Sequence, residues 1–109
     1  MILFLIDVAW MKDKYKVIIE SKAEKFLDSL VEEQKIPMLE LVGMLEILGY
    51  ELSMPYSRKV NTPKNTIYEL RCHKFGNRLY YYFHGKEIYV ITNGGKKNTQ
   101  KKILNLLIN

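Results

Sequence analysis

Cysteine is almost absent from this chain. The lone Cys72 excludes an internal disulfide and any cysteine-based zinc site. No linker, low-complexity stretch or repeat divides the 109 residues, so they read as a single domain. No apolar run approaches the roughly 20 residues that a bilayer requires. The longest, Met1–Trp10, is broken by Asp7 and lacks the positive start and small-residue cleavage site of a secretory signal. The expected compartment is therefore the cytoplasm, with no membrane partner. Residues 1–13 read as an N-terminal extension or an extra strand, with Met11 an alternative start, and residues 14–109 as the domain. Acidic side chains are also missing, but only from one half. Residues 52–109 carry 11 basic groups against Glu69 and Glu87, whereas residues 1–51 carry 6 basic and 10 acidic ones. The net charge of +5 is thus strongly polarised, which points to a polyanionic partner such as nucleic acid.

What is present is an ordinary globular composition, 48% apolar and 27% charged. The β-branched run Tyr15–Glu20 predicts a strand. Ser21 and Glu24 have capping-box spacing, and Ala23, Phe26, Leu27, Leu30 and Val31 form the apolar stripe of a helix. Ile36-Pro37 predicts the break before a second helix striped by Leu41, Leu45 and Leu48 and ended by Gly49. Ser53–Thr66 carries loop signals. Three strands follow, Ile67–His73, Arg78–His84 and Ile88–Thr92. They are joined by a Phe75-Gly76-Asn77 turn and by a type II′ hairpin at Gly85, and Asn93-Gly94-Gly95 ends the last. Thr99–Ile108 has a weak helical pattern. The expected fold is α+β: a twisted antiparallel sheet in the order β-α-α-β-β-β with a short C-terminal helix, covered on one face by a helical hairpin.

Alternation sorts the strand residues. Leu70, Leu79, Tyr81 and Phe83 fall on the face toward the helices. Glu69, Arg71, His73, Arg78, Tyr80, Tyr82 and His84 fall on the other, with Lys96, Lys97, Lys101 and Lys102 at its rim. Cations interleaved with aromatics suit RNA, because guanidinium groups hold phosphates while rings stack on bases. The same pattern also fits a solvated face on which tyrosines shield the strands.

Three motifs in order carry a family resemblance: Tyr68-Glu69-Leu70-Arg71, then Asn77-Arg78-Leu79-Tyr80-Tyr81-Tyr82-Phe83, then Lys96-Lys97-Asn98-Thr99-Gln100-Lys101. Together they resemble the RelE/ParE toxin superfamily, and within it the phage-derived HigB-like branch. The resemblance implies a RelE-like fold and the toxin of a type II toxin–antitoxin module. Such a toxin is a metal-independent endoribonuclease (an mRNA interferase) that cleaves mRNA on the ribosome and is neutralised by a cognate helix-turn-helix antitoxin. It would work without cofactor, as a monomer or in the toxin–antitoxin complex.

The resemblance makes Arg71, Arg78 and the lysines the phosphate-handling set. The catalytic candidates are Arg71, Arg78, Lys97, Tyr82 and His73. Those for RNA binding are Lys96, Lys101, Lys102, Tyr80 and Lys74. The general base is open among His73, His84, Tyr80 and Tyr82, and Glu69 reads as a scaffold bridge to Arg71 or Arg78. Asn77 stands where the family has Tyr, and no Pro follows Lys101. The chain ends at Asn109, short of the family's longer C-terminal helix, which implies a domain truncated at that end. The alternatives are a superfamily member without nuclease activity, either a gyrase-directed inhibitor or a degenerate protein that binds antitoxin or RNA, and a plain basic nucleic-acid-binding module.

Overall fold

The β-branched run before Ser21 forms strand β1 (Lys16–Ile19). The computed structural model describes residues 15–63, 66–85 and 87–97. Residues 1–13, the helix expected over Thr99–Ile108, and Lys101 and Lys102 lie outside the described residues. After β1 come α1 (Ser21–Ser29), α2 (Glu32–Leu48) and a single 3-10 turn (Gly49–Glu51). Strands β2 (Ser57–Asn61), β3 (Thr66–Arg71), β4 (Asn77–Phe83) and β5 (Ile88–Lys96) complete the order. They form one sheet, β1-β5-β4-β3-β2. Helix α1 lies over β5 and α2 reaches β1, β3 and β4, so the fold is α+β with both helices sharing one core with the sheet.

Ala23 and Leu27 of α1 and Met38, Leu41, Val42 and Leu45 of α2 are buried against Leu70, Leu79, Tyr81, Tyr89 and Ile91. Cys72 is buried there as well, a free thiol. Gly49 ends α2 as expected, at a φ of 54°. A Cβ there would sit 2.5 Å from the Tyr15 ring, so both backbone and packing require glycine.

Several local expectations are corrected. The sheet is mixed, because β1 runs parallel to β5 while the remaining pairs are antiparallel. β2 lies inside the segment read as loop. Its residues supply hydrogen-bonding partners to the outer edge of β3, a tertiary demand that the flanking Pro55 and Pro63 concealed. The helix break falls at Leu30-Val31, leaving Val31 exposed and Pro37 inside the second turn of α2. The capping box does not form. Ser21 is already helical, and Glu20 caps the helix through its backbone carbonyl, which accepts from Glu24 N–H at 3.0 Å.

Two strand ends differ as well. β5 continues through Asn93-Gly94-Gly95, pairing with Arg78–Tyr80 beyond an irregularity in register at Thr92. Gly94 makes this possible, since a Cβ there would overlap the Phe26 ring of α1. The Gly85 hairpin is closed by His84 N–H donating to Ile88 C=O, which encloses one residue more than a two-residue type II′ turn. Phe83, expected in the core, is exposed at the end of β4.

Candidate functional site

Strand register assembles the site. Arg58 on β2 pairs with Glu69 on β3, which pairs with Tyr80 on β4. Two residues along, Arg71 pairs directly with Arg78. Like charges facing across a ladder repel, so this pair needs a counter-charge. Glu69 provides it. Its carboxylate lies 3.1 Å from Arg58 Nε, 3.2 Å from Arg71 Nε and 3.6 Å from Arg78 Nε. The sequence reading of Glu69 as a scaffold bridge matches this geometry, which extends to a third arginine. Arg58 does not stand out in the sequence, because its strand carries loop signals. The signal that could have found it is a cation on a short run flanked by prolines, opposite a strand that bears a lone acid.

The carboxylate side chain is completely buried, and the arginines emerge from it in steps. Side-chain exposure is 5% for Arg78, 19% for Arg71 and 43% for Arg58. Arg78 is further held by Nη1 donating to Gly76 C=O at 3.2 Å. Nε of Arg71 and of Arg78 is buried against the carboxylate, so both are held by charge rather than by a well-formed hydrogen bond. Three guanidinium charges against one carboxylate leave the cluster cationic.

A cleft of about 70 Å³ opens beside these groups, lined by Arg71, Cys72, His73, Gly76, Arg78 and Lys97. Four of the five expected catalytic residues therefore meet in one place. Lys97 packs over the β3–β4 turn, its Cβ 3.6 Å from where a Gly76 Cβ would stand. His73 Nε2 is 2.8 Å from Pro55 C=O. A carbonyl only accepts, so Nε2 carries a proton and Nδ1 is the ring atom left to take another. Lys74 is exposed on the same turn, its Nζ 5.2 Å from the centre of the Phe75 ring, and Lys96 is exposed at the end of β5.

The other expected residues are elsewhere. Tyr80, paired across the strands with Glu69, is fully buried and offers no face to a base, which corrects its assignment to RNA binding. Burial and the neighbouring Glu69 carboxylate, partly offset by Arg78 and Arg58, push its phenol up to about 12. Tyr82 is exposed but lines a different depression, four residues along β4 from Arg78 or roughly 13 Å at strand spacing. His84 lies at the same end, its ring 6.3 Å from that of Tyr82. Tyr81, matched to a family motif, belongs to the core: its hydroxyl lies 2.6 Å from Ser57 Oγ, and burial drives its phenol up to about 12. Asn77 is buried and donates to the Gln34 side chain at 3.2 Å, tying β4 to α2. Among the described residues no group of His, Cys, Asp and Glu is arranged to hold a metal ion.

A family model described as "Phage derived protein Gp49-like (DUF891)" matches residues 25–105. The chain belongs to this family. The Gp49-like chain also shares its fold with RelE toxins. It matches the archaeal RelE–RelB complex from Pyrococcus horikoshii OT3 with a TM-score of 0.63 at 20% identity, over 77% of this chain and 96% of that one. For the RelBE2 complex from Mycobacterium tuberculosis the TM-score is 0.60 at 16% identity, over 76% and 91%. For the intact E. coli RelBE complex it is 0.59 at 16% identity, over 75% and 95%. No curated protein matches in sequence. The α+β RelE-like fold expected from the motifs is thus borne out. Among the described residues no helix is long and apolar enough to cross a membrane.

Proposed function

We propose that this Gp49-like protein is the toxin of a toxin–antitoxin module and cleaves mRNA as an endoribonuclease. The observation that carries this reading is the cleft in which Arg71, Arg78, Lys97 and His73 meet beside a carboxylate-braced arginine cluster. RNA carries its own nucleophile. The ribose 2′-OH attacks the adjacent phosphorus, its proton passes to His73 Nδ1, and the bond from phosphorus to the 5′-oxygen breaks. The products are a 2′,3′-cyclic phosphate and a 5′-hydroxyl, whose proton comes from Lys97. The pentacoordinate intermediate carries more negative charge than the starting diester. Arg71 and Arg78 therefore stabilise it more than the substrate, which is what lowers a barrier. The RelE–RelB and RelBE neighbours are complexes with an antitoxin, which supports a cognate antitoxin here. An acidic antitoxin segment laid over Arg58 and Arg71 would neutralise the face by charge complementarity.

Expression in bacteria tests the reading. Wild-type protein arrests growth and leaves transcript fragments that primer extension maps to discrete sites, whereas Arg71→Ala and Arg78→Ala do neither. Arrest that persists in both variants would remove the nuclease assignment from this cleft.

A further inference from the structure

A second concavity lies at the opposite end of the same strands. It encloses about 600 Å³ and is lined in part by Lys59, Thr66, Ile67, Tyr82 and Thr92, a volume within the 300–1,000 Å³ typical of sites for small organic groups. Tyr82 is 37% exposed. Cross-strand register sets it beside Val90 of β5 and, one step from the Tyr68–Tyr81 pair, beside Ile67 of β3. Val90 and Ile67 are buried, so the ring rises from an apolar floor, while Thr92 supplies a hydroxyl at the margin. An exposed ring, an apolar floor and a polar rim form a site for a flat heteroaromatic group.

The row Arg58–Glu69–Tyr80 separates this groove from the catalytic cleft, and Arg58 is its most exposed member. A single strand with one phosphate in the cleft would meet the Arg58 guanidinium next and reach Tyr82 roughly 13 Å away. We propose that the groove is a nucleobase subsite, in which Tyr82 stacks on a base along the chain from the scissile phosphate. The subsite rests on the reading of the cleft as an RNA-cleaving site. It gives Tyr82 a binding role in place of the catalytic one expected from sequence, through its ring rather than its hydroxyl.

The test is fluorescence anisotropy with a labelled, uncleavable 2′-O-methyl oligoribonucleotide, run on wild type, Tyr82→Ala, Tyr82→Phe, Tyr82→Trp and Arg78→Ala. Base stacking on one ring is worth about 1–3 kcal/mol, so Tyr82→Ala should weaken binding roughly 5- to 150-fold. Phe and Trp should keep wild-type affinity, because each retains a ring. Loss of affinity in Arg78→Ala but not in Tyr82→Ala would overturn the subsite and leave the cleft standing. A Tyr82→Phe variant as weak as Tyr82→Ala would also overturn it, by assigning the role to the hydroxyl. Failure of wild type to bind the probe would overturn the RNA reading itself. Since Tyr82 is exposed and outside the core, these substitutions leave the fold intact, which circular dichroism verifies.

Discussion

Glu69 is the residue on which the site depends. Its carboxylate is buried, faces three arginines and sits directly across from Tyr80. Removing one partner of a buried ion cluster leaves charge uncompensated in a poor solvent for it. Glu69→Gln should therefore lower stability by about 3 kcal/mol, at the low end for buried pairs because Arg58 reaches water. Urea denaturation measures this, and an unchanged midpoint would show that the arginines are braced by something else. The tyrosines give a second prediction. Burial raises Tyr80, Tyr81 and Tyr89 to about 12, so the folded state favours the neutral phenols. The unfolded chain ionises near pH 10. Stability is then whole below pH 10 and declines between pH 10 and 12, where the unfolded state releases protons that the folded state keeps. Tyr81→Phe should flatten that decline in denaturation midpoints taken across the range. Alternation made the Glu69–Arg71 pairing legible in the sequence, but not the burial of Tyr80, because burial depends on what covers a face.

Elements were legible where one periodicity dominated and illegible where a tertiary contact overruled it. The stripes of α1 and α2 and the alternation of β3 and β4 follow from side-chain spacing, and they appear in the structure close to where they were expected. β2 did not stand out, because its pairing answers the needs of β3 rather than its own propensity. The parallel pairing of β1 with β5 is likewise a long-range choice that no local pattern encodes. Asn93-Gly94-Gly95 looked like a break because glycine weakens strands in general. Here Gly94 lets Phe26 of α1 close on β5, so a turn signal was a packing signal. Gly94→Ala should consequently cost about 1–3 kcal/mol by overpacking, read as a lowered thermal midpoint. A neutral result would mean that α1 stands further from β5 than the structure has it.

The charge polarity seen in the sequence becomes a surface property of the whole molecule. The acidic half builds β1 and the two helices, and the basic half builds the four-strand meander, whose Arg71, Arg78 and Lys97 line the cleft. This Gp49-like chain thus presents a RelE-type fold with one cationic end to its sheet. Binding of single-stranded RNA should weaken with salt at a slope of about −0.7 per phosphate contacted, hence roughly −1 to −2 for two or three contacts. A flat dependence would mean that phosphates are not what the arginines read. The most direct test of the central claim is to incubate purified protein with an oligoribonucleotide and identify the ends it produces. The account predicts 2′,3′-cyclic phosphate and 5′-hydroxyl ends, no cleavage where a 2′-deoxyribose replaces the attacking ribose, and a rate roughly 100- to 1,000-fold lower for Arg78→Ala. Undiminished cleavage by Arg78→Ala, or cleavage at the deoxyribose position, would contradict it.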